Sequence, residues 1–132
     1  MSDFLYLIYY KLKYCKIDEN AICKASKKGD VQFLEWFKNS RYEFKYNAYV
    51  INYAASKYGN IQVLEWFKNS GYEFKYDKWA IIMASENGHV KVLEWFKNYC
   101  NIKKFIKILN SYYTKTIKFK MKNSYFKGYN KN

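Results

Sequence analysis

The hexapeptide L-E-W-F-K-N occurs three times, at Leu34–Asn39, Leu64–Asn69 and Leu93–Asn98, in steps of 30 and 29 residues. Self-similarity at such a period marks a stack of short units, none of which can bury its apolar face without a neighbour. Residues 31–46 and 61–76 agree at 13 of 16 positions, surface Lys and Asn included, which points to tandem duplication. A second element lies upstream of each copy, at Ala21–Lys28, Tyr49–Tyr58 and Trp79–Asn87, and closes on K-K-G-D, K-Y-G-N and E-N-G-H.

Both elements read as helices. Ile61, Leu64 and Phe67 share one stripe, with Val63 and Trp66 beside it. Gly29, Gly59 and Gly88 mark the turn between the two helices, and Asp30 and Asn60 follow as N-caps. His89 holds the same slot and is expected to bond locally to the turn. Gly71 stands where a left-handed C-terminal cap belongs, and Arg41 at the equivalent site should cost about 1 kcal/mol if that conformation is kept. Ala25–Ser26, Ala55–Ser56 and Ala84–Ser85 place small residues where helices approach closely. In the loop after the second helix, Tyr72, Phe74 and Tyr76 alternate with Glu73 and Lys75, a period of two that suggests an extended stretch.

Within 132 residues, half hydrophobic and 23% aromatic, a disordered chain is excluded. The chain has no Pro and a single Arg, Arg41, among 24 basic residues, a skew typical of AT-rich coding. Cys15, Cys23 and Cys100 form no C-x-x-C pair, so neither a disulfide framework nor a zinc site is expected, and a reducing compartment fits. The apolar run at residues 4–10 is too short for a membrane span or a signal peptide. His89 is the one histidine, which leaves Ser-His-Asp, Cys-His and metal-histidine chemistry without a base or ligand set. No glycine-rich phosphate loop occurs. Glu35, Glu65 and Glu94 recur once per unit and read as a solvated ladder paired to Lys38, Lys68 and Lys97 at i+3. An enzyme, a cofactor and a metal are therefore not expected.

The pattern A-S-x-x-G-[DNH]-[VI]-x-[FV]-L-E-W-F-K-N-S-G-Y-E-F resembles the ankyrin repeat. Gly88 and His89 match the family's Gly-His turn, Val92 and Leu93 its Val pair, Trp95 and Phe96 its Leu pair, and residues 71–74 its G-A-D-V. The wording is similar to the ankyrin-repeat proteins of giant, AT-rich DNA viruses. The family's T-P-L-H box is missing, with W-A-I-I at residues 79–82 in its place, and the deficit against a 33-residue period falls between one unit and the next. The resemblance implies an all-α, ankyrin-type helix-turn-helix solenoid with shortened inter-repeat loops and little or no β. In that fold Leu34, Trp36, Phe37, Leu64, Trp66, Phe67, Leu93, Trp95 and Phe96 form the structural core, the Trp series lying between repeats.

One domain, 1–132, is expected to divide into an N-terminal capping helix (1–18), repeats at 19–46, 47–76 and 77–100, a C-terminal capping helix (101–113) and a basic tail (114–132). Phe4, Leu5, Ile8, Tyr9 and Leu12 share the face expected to cap the first unit, and Ile102, Phe105, Ile106, Leu109 and Tyr113 the one expected to cap the last. Residues 1–98 carry a balance of +4, whereas residues 99–132 hold nine Lys and no acid. The tail is expected to be a frayed terminus or an edge strand.

The resemblance implies a non-enzymatic protein–protein interaction scaffold. It binds through the groove side of the first helices, at Lys27, Lys28, Lys57, Tyr58, Glu86 and Asn87, with loop-tip residues Asn47, Tyr49, Asp77 and Lys78 flanking them. The resemblance also implies a viral protein that engages host factors as a monomer in the host cytoplasm. The alternative is binding of nucleic acid or an anionic surface through the Lys-rich tail, residues 114–132.

Overall fold

The structure, a computed structural model, describes the backbone of residues 3–129 and the side chains of that span other than residues 54, 55 and 116–129. It is all-helical, with no strand among the described residues. The helices are α1 (Asp3–Tyr14), α2 (Glu19–Lys28), α3 (Val31–Lys38), α4 (Val50–Lys57), α5 (Ile61–Asn69), α6 (Lys78–Glu86), α7 (Val90–Tyr99) and α8 (Ile102–Tyr129). Two rows result: α2, α4, α6 and α8 lie side by side in one, and α3, α5 and α7 form the other. The first row is the more intimately packed. Ala25, Ala84, Ser26 and Ser56 are all fully buried there, so small side chains set the close approach; the side chain of Ala55 lies outside the described residues.

Each first-row helix is started by a short polar side chain. Asp18 Oδ1 accepts from Ala21 N (3.1 Å), Asn47 Oδ1 from Tyr49 N (3.0 Å), Asp77 Oδ1 from Trp79 N (2.9 Å) and Asn101 Oδ1 from Lys103 N (2.8 Å). α8 thus begins as a fourth first-row helix. It runs on to Tyr129 as one helix of 28 residues, not as a short cap followed by a frayed tail or strand. Its buried side is Phe105, flanked by half-buried Ile108 and Leu109, while Ile102, Ile106 and Tyr113 of the expected face are exposed.

The unequal steps of 30 and 29 have a local cause. Asp18 to Ser26 and Asp77 to Ser85 span eight steps, but Asn47 to Ser56 spans nine. The one extra residue lies within the middle first-row helix, and α4 absorbs it as a π-helix, whose wider turn takes more residues per revolution.

The loops after the second-row helices run extended without pairing as strands. Tyr72, Phe74 and Tyr76 are half-buried, whereas Glu73 and Lys75 are exposed, as the period of two requires. Successive loops are tied together: the Tyr46 hydroxyl donates to the Glu73 carbonyl and accepts from Lys75 N at 3.0 Å. Their aromatic side wedges against the next second-row helix. Phe44 lies 5.5 Å from Trp66 and Tyr46 4.6 Å from Phe67, and one unit on, Phe74 lies 5.4 Å from Trp95 and Tyr76 5.3 Å from Phe96.

The first unit has no preceding loop, and α1 supplies the missing rings. Tyr10 meets Phe33 (4.9 Å) and Trp36 (5.0 Å), and Tyr14 meets Phe33 (4.4 Å). The expected capping face was the wrong one. Tyr10 and Tyr14 are buried at 2% and 3% exposure, with Tyr6 packed beside them, while Phe4, Leu5, Ile8, Tyr9 and Leu12 face outward. The tyrosine edge wins because it fills a ring-shaped gap and Tyr14 also reaches a carboxylate, the Asp30 Oδ2, at 2.5 Å.

Leu34, Phe37, Leu64, Phe67 and Phe96 are fully buried, Leu93 half-buried. Trp36, Trp66 and Trp95 are half-buried rather than central. Their indole N–H needs an acceptor, and the ring edge stays at the surface where one stands. Trp66 Nε1 donates to Glu35 Oε2 (2.7 Å) and Trp95 Nε1 to Glu65 Oε1 (2.5 Å). Glu35 and Glu65 of the acidic ladder are therefore each bonded to the next unit's indole. No ion pair joins Glu35, Glu65 or Glu94 to Lys38, Lys68 or Lys97 among the described residues. The Trp66 bond chiefly holds the Glu35 carboxyl below its usual range.

The slot after each turn glycine also ties units together. Asp30 caps α3 through Phe33 N (3.1 Å) and takes Lys13 Nζ (2.7 Å) from α1. Asn60 and His89 make no side-chain cap. Asn60 Nδ2 donates to the Ser26 and Lys27 carbonyls, both at 2.8 Å, and His89 Nε2 lies 2.6 Å from the Lys57 carbonyl. Each satisfies the open carbonyls at the end of the previous first-row helix. Arg41 does not adopt the left-handed conformation, so the strain foreseen there is absent; among the described residues Cys15, after α1, is the non-glycine residue with positive φ, at 67°.

Gly59 combines two constraints: φ is +74°, and an added Cβ would sit 2.7 Å from His89 Nδ1. Gly88 has nearly the same φ, +70°, with nothing within 4 Å. Gly88→Ala should cost only the backbone strain, about 1–2 kcal/mol. Gly59→Ala should lower the denaturant midpoint further, because the His89 ring must also leave its carbonyl. Equal midpoints for the two variants would remove the inter-unit role of His89.

Candidate partner-binding site

The outward side of the first row carries a cluster of tyrosines and lysines. Tyr49, Tyr53 and Lys57 recur at four-residue steps along α4, which puts them on one edge of it. Tyr49 and Tyr53 stack at 4.9 Å with planes 10° apart, and Tyr58 stands edge-on at 6.2 Å. Lys57 Nζ lies 4.2 Å from the Tyr53 ring centre and donates to its hydroxyl at 2.7 Å. Lys27 reaches over from α2 to 5.2 Å from the same ring. The Lys57 hydrogen bond and charge hold the Tyr53 hydroxyl below its usual range, and the same bond raises Lys57.

Further along the row, α6 and α8 enclose a cleft of about 330 Å³. Trp79, Ile82 and Ile108 form its apolar lining, and Lys78, Lys107 and Lys115 stand around it with no carboxylate among the lining residues. Trp79 is 44% exposed, with Lys78 Nζ 5.6 Å from its ring. Trp79 follows the Asp77 cap as Tyr49 follows Asn47, so cleft and cluster occupy equivalent places on successive helices. An apolar anchor inside a cationic rim is the composition of a site for an acidic segment with a large apolar side chain.

Of the residues expected at the groove, Lys27, Tyr49, Lys57 and Tyr58 come together around Tyr53, and Lys78 joins Trp79. The others are placed differently. Lys28 turns to α1, 5.3 Å from the Tyr14 ring. Asn47 and Asp77 are helix caps, and Asp77 also exchanges bonds with Asn52, accepting from Nδ2 at 2.7 Å and donating its own N–H at 3.1 Å. Asn87 bonds the Met83 carbonyl, and Glu86 is exposed and outside the cluster. Gly29, Gly59 and Gly88 form the turns, and His89 follows the last of them, its ring bonding the Lys57 carbonyl of the previous unit rather than the turn as expected. Sequence reasoning missed Tyr53 and Trp79; the four-residue steps from Tyr49 and the capping register were the available signals.

Cys15, Cys23 and Cys100 are free thiols, and burial raises the last two. Among the described residues no group of His, Cys, Asp and Glu could hold a metal ion, and no helix is long and apolar enough to cross a membrane. Protein-family models, curated proteins and solved structures all return no match to this chain.

Proposed function

We propose that the chain is an ankyrin-type scaffold that binds a protein partner through its first-row face, without catalysis. The observation that carries this is the run of Lys with no carboxylate ion pair among the described residues, beside half-buried Tyr53 and exposed Tyr49, Tyr58 and Trp79, from Lys27 to Lys107. Large rings held by neighbours bury area on binding at small entropic cost, which is how interface anchors work. The partner contributes an acidic segment with an apolar residue for the α6–α8 cleft. On the resemblance of the repeat wording alone, the proposed target is a host cytoplasmic protein.

A second reading rests on α8. Nine Lys and no acid fall in residues 99–132, and a continuous helix carries most of them, a geometry suited to phosphate backbones. One experiment separates the two. Capture from host lysate by the intact chain, by Tyr53→Ala/Trp79→Ala and by a chain lacking residues 114–132 is compared at about 50 and 200 mM salt. The scaffold reading expects the double variant to lose at least about tenfold in capture, as hot-spot truncation does, with its melting transition retained. Full capture by that variant rejects the scaffold. Capture that needs the tail and collapses at the higher salt supports the nucleic-acid reading.

A further inference from the structure

Four neighbouring helices carry charges and rings in a fixed order across the first row. Lys27 stands on α2, the stacked Tyr49 and Tyr53 on α4, Asp77 and Trp79 at the start of α6, and Lys107 and Lys115 on α8. The order across the row is therefore cation, aromatic, carboxylate, aromatic, cation. Tyr49 is 49% and Trp79 44% exposed, so both aromatic seats are open from outside. Glu19 borders Tyr49 at the other end of α2, which leaves the Lys27 and Lys57 side of the tyrosine pair as the place for an anion.

One buried pair holds the two seats in register. Asn52 is 6% exposed; its Nδ2 donates to Asp77 Oδ1 at 2.7 Å, and its Oδ1 accepts from Asp77 N at 3.1 Å. Asn52 precedes Tyr53, and Asp77 caps α6 through the Trp79 N–H. Counted from each cap, Asn52 stands where the other units place Cys23 and Ile82. A buried amide at an otherwise apolar position costs stability unless both its ends are bonded. Here the bonds join α4 to α6 at the point between the seats. Such a departure from apolar packing belongs where a geometry has to be fixed.

Neighbouring helices pack about 8–10 Å apart. In a polyproline II segment every third side chain points the same way, and three residues rise about 9 Å. Side chains at three-residue steps thus match successive helices of the row. The charge order supplies the rest: acids toward Lys27 with Lys57 and toward Lys107 with Lys115, apolar side chains on the tyrosine pair and in the Trp79 cleft, and no acid over Asp77. We infer that the partner of the first-row face is an extended protein segment crossing the helices in the pattern acid-x-x-apolar-x-x-apolar-x-x-acid, with a neutral or basic residue between the apolar pair, and that Asn52 is the positioning residue for it. This rests on the scaffold reading and narrows it from an acidic segment to one order of side chains.

Fluorescence anisotropy of labelled peptides titrated with the full chain tests it. E-S-S-F-S-K-F-S-S-E has the inferred order. K-S-S-F-E-E-F-S-S-S has the same composition with its acids over Asp77, and E-S-F-S-K-S-S-F-S-E has the apolar pair set too far apart. The first peptide is expected to bind at least about tenfold more tightly than either of the others, and Tyr53→Ala/Trp79→Ala should cancel the difference. Asn52→Leu keeps the side-chain volume but releases α6 from α4. Its melting transition should be retained while the margin of the first peptide over the third shrinks to about threefold or less. Equal binding of the three peptides by the unaltered chain overturns the inference. If Tyr53 and Trp79 still govern capture from lysate in that case, the scaffold reading survives without it. An undiminished margin in Asn52→Leu overturns the positioning role.

Discussion

Phe67→Ala is expected to cost about 3–5 kcal/mol, the range for deleting a fully buried aromatic ring. Phe67 has no exposed surface, and its ring meets those of Tyr46 at 4.6 Å, Trp66 at 5.0 Å and Phe44 at 6.1 Å. Those partners come from the preceding loop and from its own helix, so the hole opens at the joint between the first and second units. Small domains are stable by only about 5–15 kcal/mol, and a stack that loses its middle joint loses the coupling between its ends. Denaturant titration followed by tryptophan emission should show a large fall in midpoint, with a broader transition as the ends uncouple. Trp66→Ala, at a half-buried ring, should cost less than Phe67→Ala. A shift below about 1 kcal/mol for Phe67→Ala would mean that the joint is not where the stability resides.

The second large effect is alkaline. Burial raises the hydroxyls of Tyr10, Tyr14, Tyr46, Tyr72 and Tyr76, and the Asp30 carboxylate adds to the rise at Tyr10 and Tyr14. Tyr10 is pushed up to about 12. A raised folded value means that the folded chain keeps a proton the unfolded chain has already lost. The stability is complete below the ordinary tyrosine value near 10 and drains away as pH rises toward 12, on the order of 2–3 kcal/mol for Tyr10 alone. The protein should therefore unfold cooperatively above about pH 10, with tyrosinate absorbance and loss of helix moving together. Tyr10→Phe removes the ionisable group while keeping the ring, and should move that transition to higher pH. Tyrosinate absorbance that rises while the helical signal stays intact would show that these hydroxyls are not inside the core.

Much of the architecture is legible in L-E-W-F-K-N. Its period, the glycines and the apolar stripes place six of the eight helices among the described residues in two alternating sets, and the all-helical fold follows. What escaped has a common cause: the sequence states which residues are apolar but not which neighbour they meet. α1 has two apolar edges, and hydropathy favours Phe4, Ile8 and Leu12 over Tyr6, Tyr10 and Tyr14. The choice was made by a gap beside Phe33 and by Asp30, neither of which lies near α1 in sequence. The same holds for Glu35, whose expected partner along the chain is Lys38, whereas its carboxylate accepts from Trp66 a unit away and from Asn39 nearby. The π-helix is different. The count from cap to serine, nine steps against eight, was open to arithmetic, and only the assumption of a regular helix hid it.

At the candidate site, the sequence groups residues that the fold does bring together on the helix edge, Lys27, Tyr49, Lys57 and Tyr58, with Lys78 beside Trp79. Lys28 and Glu86 lie apart from them, and Asn47, Asp77 and Asn87 are short polar side chains at helix ends that bond the backbone there. Tyr53 stood one four-residue step from Tyr49 and was overlooked, whereas the cleft beside Trp79 depends on where α8 packs.

The bonds from indole to carboxylate have a direction. Every unit offers an acceptor to its successor and a donor to its predecessor, so Glu94 presents an acceptor that no indole of the described residues meets. A lattice of identical bricks behaves this way: any number can be laid in the same course, and each new brick finds its mortar on both sides. Duplication of a unit by unequal recombination would thus leave every joint matched, and array length is free to drift without redesign of the interior.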